Sequence, residues 1–281
     1  MPWHAHLQLD YTHDGRSTGA LDRHEGPLRV LQRLYPEGPG ICHHVLVHPP
    51  GGIVGGDTLQ LDARLAPRCH ALITTPGATR FYRSAGPVAQ QQVQAQLAEG
   101  ARLEWLPLET IAYDGCQAHN HLRFALDPGA EMIGWDVLAL GLPAAEQGFH
   151  KGSFLQELLL PGAWLERGRI DAHDALLLDS PLGWAGRRVL ATLWFGAGTA
   201  LPVIRREQLV DAARAPLAIT GSPALPAGVL AGVTSPHERV VVLRVLAERV
   251  EPAMQTLVAI WGAWRQAAWG LPPTPPRVWR T

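Results

Sequence analysis

Leu65-Ala66-Pro67-Arg68-Cys69, Leu97-Ala98-Glu99-Gly100-Ala101, Leu126-Asp127-Pro128-Gly129-Ala130 and Leu159-Leu160-Pro161-Gly162-Ala163 are four versions of one pattern. A leucine ends an extended run, a short turn follows, and a small residue opens the next run. The leucines stand 32, 29 and 33 residues apart. A near-constant period of that size marks stacked units, none of which can bury its faces alone. The runs between the turns alternate as half-buried strands do: Val45-Leu46-Val47, Thr58 to Leu65, Val93 to Leu97 and His121 to Leu126. The pattern predicts a mainly β stack, approaching a β-helix or an irregular β-sandwich, over residues 1–185.

The character changes after about residue 186. Arg188 to Trp194 reads as a strand and Arg205 to Arg214 as an amphipathic helix, with Leu209, Val210 and Ala213 on one side. Strands follow near Gly228 to Val233 and Arg239 to Leu246. A last helix begins near Pro252, a residue suited to a first helical turn. Its apolar positions Leu257, Val258, Ile260, Trp261 and Trp264 recur at helical spacing. The run Pro272-Pro273-Thr274-Pro275-Pro276 cannot be helical and is expected to drape over the body. No polar linker separates the parts. The expectation is one domain over 1–281, with an α+β portion at 186–281 carrying about two helices.

Composition removes several functional classes. With 24 basic and 25 acidic residues and no basic stripe, a nucleic-acid partner is not expected. Charged residues make up only 17% of the chain, below the usual quarter, which suits a protein partly covered by partners. Three cysteines, Cys42, Cys69 and Cys116, form neither a disulfide framework nor a C-x-x-C metal motif. Met1-Pro2-Trp3-His4-Ala5-His6 has no signal-peptide character, and the apolar run between Glu251 and Arg265 is too short to span a bilayer. A soluble cytoplasmic protein is the expectation. Among thirteen histidines, His119 and His121 would share a strand face, but no H-E-x-x-H exists. No G-x-S-x-G elbow assembles a hydrolase.

The densest block is His48-Pro49-Pro50-Gly51-Gly52-Ile53-Val54-Gly55-Gly56-Asp57. It lacks the Lys-Ser/Thr of a P-loop and the G-x-G-x-x-G of a dinucleotide turn. A loop lined by backbone and ended by one carboxylate remains, and Gly55 and Gly56 are expected where other residues would be strained. Thr74 to Ser84, with Thr75, Arg80, Tyr82 and Arg83, is the second block, suited to a polar wall or a partner surface. Asp57, Asp136 and Glu166 lie in or beside strand-like runs. A carboxylate turned inward needs a partner, water or a cation, and Arg80, Arg83 and Arg167 are the nearby candidates to pair with it.

Together these blocks resemble the urease accessory protein family UreD, also called UreH. The likeness rests on Glu25-Gly26-Pro27-Leu28, Tyr35-Pro36-Glu37, His48 to Asp57, Thr74 to Ser84, Leu103 to Pro107, Glu109-Thr110-Ile111, Gly134-Trp135-Asp136 and Pro276-Arg277-Val278-Trp279. Leu142 stands where the family usually has arginine, and Arg80 where lysine is common. The resemblance implies a distorted right-handed β-helix and a non-enzymatic maturation factor. Its partners would be UreF, the GTPase UreG and apo-urease. Nickel would be held only in transit, with no tightly bound cofactor. A nickel ion in passage wants weakly held oxygen or imidazole ligands. Asp57, Asp136 and Glu166 are then the expected route residues, with Thr75 a minor one. Arg80, Tyr82, Arg83, Gly55 and Gly56 would belong to a tunnel wall or partner surface. The competing expectation is a β-helix enzyme acting on carbohydrate, which would need paired acids in a groove and exposed aromatics.

Overall fold

In the computed structural model, which describes residues 2–142, 145–218 and 228–280, the repeated turns close successive coils of a solenoid. The chain opens with β1 (His4–His13), β2 (Thr18–Glu25), β3 (Arg29–Leu34) and β4 (Ile41–Val47). Coils then run β5 (Thr58–Leu65), β6 (His70–Thr74), β7 (Thr79–Phe81); β8 (Ala89–Leu97), β9 (Arg102–Leu106), β10 (Thr110–Ala112); and β11 (Gln117–Leu126), β12 (Glu131–Leu140). β13 (Ser153–Leu160), β14 (Trp164–Asp171) and a short α1 (Ala175–Asp179) end the stack. The last third holds β15 (Val189–Ala197), α2 (Val203–Ala218), β16 (Leu230–His237), β17 (Val240–Ala247) and α3 (Val250–Trp269). Thus the fold is mainly β, a solenoid-like stack of about four turns, as the sequence predicts.

The first sheet has the order β14-β13-β11-β8-β5-β1-β2 and the second β16-β17-β15-β12-β9-β6-β4-β3. The central strands of both are parallel, and antiparallel strands finish each side. Short β7 and β10, with an Ile53–Phe81 bridge, make a narrow third face.

The repeat is structural in three of its four copies. Leu65 lies opposite Leu97, and Leu97 opposite Leu126. The third residue after each leucine is left-handed: φ is 65° at Arg68, 67° at Gly100, 79° at Gly129 and 72° at Gly162. Each turn closes with a hydrogen bond across four residues, as in type II turns. The fourth copy departs from the expected repeat. Leu159 falls opposite Arg123, and its turn reverses the chain into the antiparallel hairpin β13–β14. The same turn chemistry that joins coils here caps them, because a terminal unit must stop the pairing.

The second sheet is buried on both faces. Along β12, Met132, Leu138 and Leu140 enter the core between the sheets, while Ile133, Trp135, Val137 and Ala139 enter a second core beneath α2 and α3. Burial on both faces accounts for a strand that is apolar from Met132 to Leu140 apart from Asp136. The expected helix near Pro252 is α3, which starts two residues earlier and stops at left-handed Gly270. Within the second core, Arg265 is fully buried and donates to Glu37 Oε2 at 2.7 Å. Glu37 also meets His43 at 2.8 Å, and Glu104 meets His70 at 2.8 Å and the Trp261 indole N–H at 2.6 Å. His43 and Arg265 hold the Glu37 carboxyl down at about 2 against the opposing effect of burial, itself the largest single influence. The C-terminal strap returns to the body through Trp279, which donates to Thr74 Oγ1 at 2.8 Å and packs against Trp135 and Trp261.

Candidate functional site

The two dense sequence blocks meet at one place. His48, Pro49, Gly51, Gly52 and Ile53 from the first, and Thr75 through Arg80 from the second, border a cavity of about 330 Å³ between the sheets. Leu59, Leu61, Val93 and Trp105 form its apolar wall, and Asp136, Gln91 and Thr110 add polar groups. A space of this size, mostly apolar with a few polar groups, is the usual form of a small-ligand site or passage.

Asp136 reaches the cavity because even-numbered residues of β12 face inward. Burial pushes its carboxyl up to about 7; the charge of Glu166 adds to this, and a hydrogen bond from Asn120 opposes it. Fully buried Asn120 is the centre of an amide ladder. Its Nδ2 donates to Asp136 Oδ1 at 3.1 Å and Gln156 Oε1 at 3.2 Å, and its Oδ1 accepts from Gln91 at 3.1 Å. Gln91, Asn120 and Gln156 occupy one register row of the first sheet. Facing it, Asp136, Thr192 and Arg244 occupy one row of the second. A polar seam therefore crosses an otherwise apolar interior. It ends at Glu166 on β14, whose carboxylate is gripped by both Nη atoms of Arg244, the Nη1 contact being 3.1 Å. Burial raises the Glu166 carboxyl, and Arg244 opposes it.

Asp57 is placed elsewhere. It is 1% exposed, and its two oxygens accept from the backbone N–H groups of Trp3 and Val54, each at 3.1 Å. It closes the glycine turn and is not among the cavity-lining residues. Gly56 has φ +92°, as expected of a strained position, but Gly55 does not. At Gly55 the reason is close approach, since a Cβ would lie 2.7 Å from the Pro87 carbonyl. Tyr82 packs its ring against Gly52 and Tyr113. Arg80 borders the cavity, while Arg83 is largely exposed and 3.5 Å from Asp114. Thr75 holds the wall together, its hydroxyl accepting from Leu108 N–H and donating to Gly77 O, both at 3.0 Å.

His48 at the mouth is held neutral by burial, against the pull of Asp57. The expected pairing of the acids with Arg80, Arg83 or Arg167 is replaced by Glu166–Arg244; Arg167 pairs with Glu157 instead, at 3.3 Å. His119 and His121 do share a face, with ring centroids 5.7 Å apart, but no cluster of three metal-ligating residues occurs among the described residues. Leu142 accepts Gln147 N–H and donates to Gln147 O; the Pro-Ala after it lies outside the described residues.

The family model described as UreD urease accessory protein matches residues 4–280. This chain belongs to the UreD family. Among its relatives, the urease accessory protein UreD of Leptothrix cholodnii is 67% identical over 283 residues, covering the whole of both chains. That of Paracidovorax citrulli is 60% identical over 279 residues, with 99% of each chain covered. That of Variovorax paradoxus is 57% identical over 281 residues, the full length of both. The UreD resemblance carried by the glycine block and the Thr74 to Ser84 run is thereby established, and both runs prove to be walls of one cavity. No helix of the described residues is long and apolar enough to cross a membrane.

Proposed function

We propose that this UreD chain is a non-catalytic urease maturation factor that works in the cytoplasm. It assembles with UreF and the GTPase UreG, docks on apo-urease and gives nickel a protected passage to the urease active site. The observation that carries this reading is the polar seam that runs from the cavity through Asp136 to Glu166 inside an apolar solenoid. A purely structural interior gains more from apolar packing than from half-paired carboxylates. Oxygen groups and the neutral His48 imidazole suit a divalent ion that must bind and leave. Nickel is cargo on this reading, with no cofactor held permanently.

Asp136 and Glu166 act along the route, with Thr75 on its wall. Asp57 serves the fold of the mouth loop, and exposed Arg80 and Arg83, with the partly buried Tyr82 between them, belong to the docking surface. Neither nucleic acid nor membrane is a partner. Most of the tryptophans, Trp105, Trp135, Trp184, Trp194, Trp261 and Trp264 among them, are buried in the two cores rather than displayed for stacking on sugar rings.

The test is to co-express the chain with its partners and urease, then measure complex yield beside nickel per urease active site. Asp136→Ala is expected to give normal complex and under-loaded urease, partly restored by excess nickel. Asp57→Ala is expected to reduce complex yield, because the backbone N–H groups of Trp3 and Val54 lose the acceptor that closes the loop. Normal nickel content in Asp136→Ala would refute the passage.

A further inference from the structure

The polar seam ends on a cation that the protein itself supplies. Asp136, Thr192 and Arg244 lie in one row across β12, β15 and β17, all on the inward face of the second sheet. Val240 and Val242, the inward neighbours of Arg244 on β17, are buried in the core. Arg244 instead spans the gap between the sheets, since β14 and β17 are not hydrogen-bonded to each other. Its fork takes both oxygens of Glu166. The Arg244 side chain is 45% exposed and that of Glu166 only 21%. The carboxylate is therefore the more sheltered partner, and the guanidinium is free to rotate outward. Beside it, Gln156 keeps an unpartnered, buried Nε2.

We propose that Arg244 is the gate of this passage: its guanidinium occupies the Glu166 carboxylate that a divalent cation arriving from Asp136 requires, and it yields by swinging into solvent. The inference rests on the nickel-passage reading above. An ion pair this exposed is weakly held. Exchange of the guanidinium for a metal ion keeps Glu166 paired throughout, which avoids leaving a half-buried charge uncompensated. Lysine could not reproduce the gate, because one ammonium cannot grip both oxygens in a planar fork.

The experiment measures the initial rate of nickel incorporation into apo-urease at limiting nickel, using the complete accessory complex. Arg244→Met, Arg244→Lys and Asp136→Asn are compared with wild type, and the amount of complex recovered is scored for each. Arg244→Met is expected to assemble normally and to load about two- to fivefold faster, the change in open population that loss of a pair this exposed produces. Arg244→Lys is expected to fall between Arg244→Met and wild type, and Asp136→Asn to load slowly. Wild-type or slower loading by Arg244→Met, with Asp136→Asn still slow, would overturn the gate and leave the passage standing. Wild-type loading by Asp136→Asn would overturn the passage and the gate with it. Loss of the complex with both Arg244 variants would show a brace between the sheets, and would also overturn the gate.

Discussion

Replacing Asp136 with asparagine removes a charge and almost no volume, and the acceptor that Asn120 uses is retained. Burial and the nearby Glu166 carry the Asp136 carboxyl from 3.8 to about 7. In the unfolded chain it ionises near its ordinary value, so between about pH 4 and pH 7 the folded protein binds the extra proton. Stability falls through that window as pH rises, and the loss is complete above pH 7. A displacement of that size corresponds to about 4 kcal/mol. Asp136 borders a cavity that water can enter, which relaxes part of the penalty, so about 2–4 kcal/mol is expected at pH 8. Asp136→Asn should be more stable than wild type by that amount at pH 8 and equal to it at pH 4. Urea unfolding of the full-length chain, carried on a solubility tag, at pH 4, 6 and 8 reads the difference directly. A gain that does not vary with pH would refute the buried-charge account, and so would a loss at pH 8.

Gly56→Val forces a β-branched residue to φ +92° with its Cβ 2.8 Å from Pro2; a cost of about 1–3 kcal/mol in urea unfolding is expected, and an unchanged midpoint would show the loop to be permissive. Arg68 holds a left-handed turn position that glycine fills in the equivalent turns. Arg68→Gly should therefore stabilise the chain by about 1 kcal/mol, seen as a raised melting temperature. Arg265→Met leaves Glu37 and Glu104 without their cation in the second core. A loss of about 3–5 kcal/mol is expected, so recovery of soluble protein at the wild-type level would contradict the pairing.

The coil turns were legible because a leucine, a short turn and a small residue recur at a near-constant period, with glycine at the left-handed position in three of the four copies. The third face was not: β7 and β10 are three residues each, too short for any period to show. The fourth turn misled because Leu159-Leu160-Pro161-Gly162 has the chemistry of the others, and only register separates a hairpin from a crossover. At the site, the glycine block and the Thr74 to Ser84 run were visible as unusual loops, and Asp136 and Glu166 as carboxylates in apolar runs. The rest of the seam was hidden. Asn120 carries the signal that could have exposed it, an amide at an inward position between Ala118 and Leu122. Arg244 offers an equal signal, a lone charge inside Val240 to Ala247. Glu37 and Arg265 lie 228 residues apart, beyond any local pattern.

A sheet covered on both sides has a consequence for synthesis. β4, β6, β9 and β12 leave the ribosome first, with the apolar outer faces of Leu72, Leu106, Ile133 and Trp135 uncovered. β15, β17 and β16 only widen that sheet, and its cover comes with α2, α3 and Trp279. For most of translation the nascent chain therefore carries a wide adhesive face, the condition under which growing polypeptides aggregate or recruit chaperones. A product released before α3 is made cannot bury that face by folding alone. Ribosomal stalling or a premature stop late in the message would thus yield an insoluble chain, even with every coil of the solenoid complete.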